Sequence, residues 1–144
     1  MDDTAREWLL WAMNETVSLP PEYHRFMAAY IALNHIYGYA KGNERDRMVA
    51  CLSNLCDKVG INPFDLDVSE YLASPILDMR QEKNGSQRVN PKDRNSLFKA
   101  IYQVRCNLFH GNKSLGSERD TNLVKQGADV IICILSKELG VAMS

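Results

Sequence analysis

Long apolar runs are missing from this chain. The longest, Val130 to Leu135, is far shorter than the roughly 20 apolar residues a helix needs to cross a bilayer. The opening Met1-Asp2-Asp3 has neither the basic start nor the small-residue cleavage site of a signal peptide, so a cytoplasmic protein is expected. Cysteine is sparse and scattered: Cys51, Cys56, Cys106 and Cys133 form no C-x-x-C and have no histidine pair nearby. That spacing speaks against zinc, and the cytosol against disulfides. Cys51, Cys56 and Cys133 read as small buried hydrophobes, and Cys106 differs only in its neighbours. Alternation at period two is lacking and β-branched clusters are few, which argues against a sheet protein. There is no internal repeat and no low-complexity tract. Net charge is only −1, so overall charge implies no particular partner.

What remains is ordinary in bulk and helical in pattern. At 144 residues, 45% hydrophobic and 24% charged, the chain suits one soluble domain, spanning residues 1–144, with a core that needs no staples. A first helix is expected over roughly Thr4 to Val17, with Trp8, Leu9, Trp11 and Ala12 on its apolar side; the two tryptophans read as core or interface anchors. Ser18-Leu19-Pro20-Pro21 breaks it and opens a second helix running to about Lys41. Phe26, Met27, Tyr30, Ile31, Leu33 and Tyr37 form its buried side, and Gly42 closes it.

Asn43 with Asp46 caps a third helix that ends near Val59-Gly60, and Asn62 to Asp65 is a turn. Asp67-Val68-Ser69-Glu70 has the form of a capping box for a short helix stopped by Pro75. Gln81 to Asn90 reads as a polar loop, and Asn90-Pro91-x-Asp93 as the start of the next helix. Ser117-x-x-Asp120 caps a last helix, ended by Gly140, whose middle is apolar nearly all round; such a helix is central in a bundle or shared with a second subunit. The fold class expected is an all-α, up-and-down bundle of about five or six helices.

The stretch Arg105-Cys106-Asn107-Leu108-Phe109-His110 carries the chemistry. Leu97, Ile101, Val104 and Leu108 recur at helical spacing, with Arg105 on the flank of that stripe. Gly111-Asn112 ends the helix, leaving His110 in or just past its last turn. From Arg80 to Lys113 there are eight lysines or arginines against two acids, a local +6 on a remainder of −7, which suits a polyanion. RNA can cleave itself when its 2′-OH loses a proton and attacks the adjacent phosphate. An imidazole moves protons near neutral pH, and a guanidinium fork meets the charge of the phosphorane. Asn107 could position either group, and Asn112 and Lys113 lie close enough to touch an adjacent phosphate. His24 and His35 have no metal-ligand spacing.

The run Ile101 to Lys113 closely resembles the signature of HEPN domains (higher eukaryotes and prokaryotes nucleotide-binding), whose hallmark is an arginine and a histidine four to six residues apart. Phe26, Tyr30, Ala32, Leu33-Asn34 and Ile36-Tyr37 resemble the aromatic-rich helix of several HEPN branches. The resemblance implies a homodimer whose two motifs face each other as one RNA-cleaving cleft. It also implies a metal-independent endoribonuclease acting in toxin–antitoxin or antiviral defence, with RNA and a cognate antitoxin or defence protein as partners. No cofactor and no membrane association are expected. Carried over, Arg105 and His110 are catalytic and Asn107 is the polar helper. Lys113, Asn112, Tyr102, Lys99 and Asn34 make up the substrate-binding set, Asn34 being read as a buried amide in need of a partner. Cys106 stands where the family has its polar residue. Asn112 stands where one branch has a tyrosine modified by nucleotidyl transfer, so that mode of inactivation is not expected here. The alternatives are a non-catalytic HEPN module that binds nucleotide or RNA or scaffolds a complex, and a helical dimerisation domain in which Arg105 pairs with a carboxylate for structure.

Overall fold

A computed structural model describes Arg6, Leu9, Ala12, Met13 and residues 20–38, 41–78, 85–109 and 117–142. It is mostly helical, an all-α bundle. The elements are α1 (Pro21–Tyr37), α2 (Glu44–Val59), a 3₁₀ turn (Pro63–Asp65), α3 (Ser69–Ala73), α4 (Arg94–Phe109) and α5 (Glu118–Leu139). A two-residue antiparallel hairpin, β1 (Ile76–Leu77) and β2 (Ser86–Gln87), lies between α3 and α4. Ahead of α1, the four described residues are helical and exposed, whereas Leu9 and Ala12 were expected on a packed face. Trp8 and Trp11 lie outside the described residues.

Local chemistry sets several helix ends. The Asn43 side chain accepts from the Asp46 N–H at the start of α2, and Gly60, in the left-handed region at φ 73°, closes it. Ser117 accepts from the Asp120 N–H at the start of α5, and Gly140 ends that helix in the same conformation. Helix α1 stops at Tyr37 rather than near Lys41. Arg47 Nη1 donates to the Gly38 carbonyl at 3.1 Å, satisfying an acceptor the helix end would otherwise leave bare.

The capping box expected at residues 67–70 does not form either. Asp67 accepts from the Ser69 N–H, and the Glu70 N–H goes instead to Gln126 Oε1 of α5 at 2.9 Å. Helix α4 begins at Arg94, later than Asn90-Pro91 implied. Asn90 and Asp93 spend their side chains on tight turns, accepting from the N–H groups of Lys92 and Asn95. The segment read wholly as loop contains β2, and Val89 behind it is buried.

Helix α5 is central: it packs against each of the other described helices, most extensively α1. Phe26 and Leu33 of α1, Met48 and Leu52 of α2, Leu97, Phe98 and Ile101 of α4, and Ile131 and Ile134 of α5 are fully buried together. Gly127 allows α1 and α5 to close up. A Cβ there would stand 2.6 Å from Tyr71 Oη and 3.0 Å from the Phe26 ring. Ile31, expected on the buried side of α1, is exposed; the core face of that helix follows Tyr23, Phe26, Tyr30, Leu33 and Tyr37 instead.

Candidate functional site

The apolar stripe of α4 buries Leu97, Ile101, Val104 and Leu108, as its spacing implies. Arg105 lies on the flank of that stripe beside Tyr102 and Phe109, three before and four after it, so the three share one face. Its guanidinium is ringed by aromatics: the carbon Cζ is 4.7 Å from the Phe109 ring centroid, 5.4 Å from that of Tyr30 and 5.9 Å from that of Tyr102. Such placements put the cation against electron-rich ring faces.

One carboxylate completes the cluster. Glu44, the first residue of α2, places Oε1 3.4 Å from Arg105 Nη2. Its position at a helix N-terminus already favours negative charge. Tyr102 donates to Glu44 Oε2 at 3.4 Å. The hydroxyls of Tyr30 and Tyr37 are 2.7 Å apart, and each is 3.3 Å from Glu44 Oε1. Each phenol has a single proton, so one donates to Glu44 while the other donates to its neighbour. Burial works against the Arg105 charge, but the Glu44 carboxylate, then Tyr30 and Cys106, outweigh it and hold the guanidinium above its ordinary value. Burial, first of all, pushes Tyr37 up to about 12 and raises Tyr30 and Tyr102 as well, so all three phenols stay protonated donors.

The site is half-open. The Arg105 and Glu44 side chains keep 22% and 28% of their surface exposed, and Phe109 at the rim is 50% exposed. Arg105 Nε is buried and has no hydrogen-bond partner among the described residues.

The other expected site residues distribute unevenly. Tyr102 joins Arg105 directly, and Lys99 is half-buried one turn before Tyr102 on the flank of that face. Asn107 does not join them: two residues past Arg105, it is turned about 200° around the helix. There it is buried, donating from Nδ2 to the Leu77 carbonyl at 2.9 Å and accepting from Gln103 Nε2 at 3.0 Å. Its amide fastens β1 to α4, and the polar side chain beside Arg105 is that of Glu44. Asn34, expected to be buried, is exposed on the shoulder of α1, because the core face of that helix is centred nearer Leu33 and Tyr37. His110, Asn112 and Lys113 lie outside the described residues. So do Arg80 and Lys83 of the basic stretch; within the rest of it, Arg94 is paired with Asp57 at 2.8 Å as Arg105 is with Glu44.

Glu44 is the residue the sequence reading missed. A glutamate in the first turn of a helix is already explained by the helix dipole, and nothing local links it to a tyrosine 58 positions away. Tyr30 and Tyr37, two helical turns apart, were legible as one face but not as a hydrogen-bonded pair.

A cavity of about 370 Å³ opens on the far side of α4, lined by Ile76, Leu77, Val104, Asn107, Leu123 and Arg119 among others. It shares no lining residue with the Arg105 cluster. Both Nη nitrogens of Arg119 are engaged there, donating to the carbonyls of Glu70, Ser74 and Pro75 and to Glu70 Oε2. Among the described residues no group of three or more His, Cys, Asp or Glu could hold a metal ion, and no helix is long and apolar enough to cross a membrane. No family model, no curated protein and no solved structure matches this chain.

Proposed function

We propose that the chain is a HEPN-type endoribonuclease, working without metal at a cleft shared by two copies, as a cytoplasmic effector of toxin–antitoxin or antiviral defence. The observation that carries this reading is the state of Arg105. A guanidinium one turn before the end of α4 is kept charged, held by Glu44 and three aromatic rings, and left partly open to solvent. The sequence puts His110 five residues on. Exposed Phe109 at the same rim offers a surface for a nucleobase or for the second copy.

In the reaction, His110 takes the proton of the 2′-OH. The freed 2′-oxygen bonds to phosphorus, and Arg105 meets the charge on the non-bridging oxygens. The bond from phosphorus to the 5′-oxygen then breaks, and the second copy's histidine returns a proton to that leaving oxygen. The products are a cyclic phosphate and a free 5′-hydroxyl. Tyr102 and Lys99 flank the arginine on the binding face, with Lys113 and Asn112 supplied by the segment after the helix.

The Glu44 pairing also favours a second reading, in which Arg105 is a structural tie and the domain binds nucleotide or RNA without cutting it. One experiment separates the two. Purified protein is incubated with RNA in excess chelator, and products are examined for a cyclic phosphate, for wild type and His110→Ala. Cleavage by the wild type alone, with RNA binding retained in the variant, is the expected result. RNA binding without any cyclic-phosphate product from either protein would overturn the nuclease reading.

A further inference from the structure

We propose that Glu44 is the positioning residue of the cleavage site: it fixes the rotation of the Arg105 guanidinium so that only its Nη nitrogens are offered to a phosphate. This rests on the reading of Arg105 as the group that meets the phosphorane, and it concerns a residue that touches neither RNA nor the reacting atoms.

A guanidinium has five N–H donors in a plane and can meet a phosphate through the side formed by Nε and one Nη, or end-on through the two Nη nitrogens. Here the Nε is buried. The side approach is therefore shut, and a phosphate must come through the Nη end. Glu44 Oε1 lies 3.4 Å from Nη2 as an ion pair; the second N–H of Nη2 and those of Nη1 remain for the phosphate, while the rings of Tyr30, Tyr102 and Phe109 stand around the planar group.

Glu44 is in turn fixed from three directions. The Tyr30–Tyr37 pair reaches Oε1, Tyr102 reaches Oε2, and its backbone begins α2 just after the Asn43 cap. A carboxylate needed only to neutralise Arg105 would not require three phenols from two other helices. Their effect is directional: they set where Oε1 sits, and so where Nη2 points. A positioned guanidinium meets the transition state without reorganising during the reaction, which is where a fixed donor differs from a free one.

Glu44→Gln is the test, because the amide keeps the volume and an oxygen that accepts from the phenols but loses the charge that holds Arg105. Cleavage kinetics should show kcat lowered about 10-fold or more with KM within about threefold, since ground-state binding draws on other cations. Nitrogen-15 NMR of the Arg105 Nε–H group provides a readout that does not depend on cleavage: the signal should show a more mobile guanidinium in the variant than in the wild type. Tyr102→Phe, which removes one of the bonds to Glu44, should move both readouts partway in the same direction and serves if Glu44→Gln does not fold. An unchanged or raised kcat together with unchanged Arg105 dynamics overturns the proposal. If the wild type cuts no RNA, the nuclease reading fails by itself, and the NMR comparison still decides whether Glu44 orders Arg105.

Discussion

Gly127→Ala sets two opposing effects against each other at one atom. Alanine is the better helix former by about 1 kcal/mol, so on an exposed helix the change would stabilise. In α5 the added Cβ would lie 2.6 Å from Tyr71 Oη and 3.0 Å from Phe26 Cε2. Neither neighbour can retreat freely. Phe26 and Tyr71 are essentially fully buried, and the Tyr71 hydroxyl donates to the Leu123 carbonyl at 2.7 Å. Overpacking of this kind costs about 1–3 kcal/mol. Pushing the hydroxyl off its acceptor adds the penalty of an unsatisfied buried group, about 1–3 kcal/mol. The net is a loss of about 1–5 kcal/mol, centred near 3, out of a typical total of about 5–15.

For a domain of this size each kcal/mol moves Tm by roughly 3–4 °C, so a fall of about 10 °C is expected. Urea unfolding followed by circular dichroism should show a lower midpoint with an unchanged slope. In a Tyr71→Phe background the nearest atom is gone, and Gly127→Ala should cost clearly less. A Tm equal to or above that of the wild type would refute the reasoning, because helix propensity would then have outweighed the α1–α5 contact.

The remaining expectations concern the site and its supports. Arg105→Ala should lower cleavage by about 10²–10³-fold; the partly exposed Glu44 pair is worth about 0–1 kcal/mol and each of the three ring contacts about 0.5–1 kcal/mol, so Tm should fall by about 5–15 °C, and unchanged cleavage alongside that fall would favour the structural tie. Arg119→Ala strips the carbonyls of Glu70, Ser74 and Pro75 of their donor; it should cost about 1–3 kcal/mol and speed amide exchange in β1, read by hydrogen-exchange mass spectrometry. At high pH the folded protein should weaken: burial raises Tyr30, Tyr37, Tyr71 and Tyr102, with Tyr37 pushed up to about 12. Unfolded tyrosines lose their protons near pH 10 while the folded ones keep theirs. The stability present below pH 10 is therefore lost as pH rises from there towards 12 and beyond, and urea midpoints measured across that range should fall as tyrosinate absorbance appears on unfolding. Burial also pushes the Cys56 thiol up to about 11, so it should resist alkylation at pH 8 in the folded state and react promptly in urea.

What the sequence determined by itself is whatever is settled within one or two turns of chain. The Asn43–Asp46 and Ser117–Asp120 caps, the left-handed closures at Gly60 and Gly140, and the buried stripe of α4 all hold as their spacing implies. The apolar middle of α5 allowed a central helix or one shared with a second subunit, and in the fold it packs on the helices around it. Each depends on contacts between residues at most a few positions apart, or on a periodicity that any helix imposes.

Tertiary structure decided the rest, because there a partner comes from elsewhere in the chain. Glu70 has its N–H satisfied by Gln126, 56 residues away, so its capping box never forms. Asn107 was matched to Arg105 by proximity in sequence, yet the helical turn sends it to the opposite side and β1 takes its amide. Glu44 reaches Tyr102 and Arg105 only because α2 and α4 pack side by side, bringing the start of one helix against the last turns of the other. Periodicity can say which face of a helix is buried, but not which charge waits on the neighbouring helix. The arginine could be picked out from the sequence, whereas the carboxylate and the phenols that orient it required the fold.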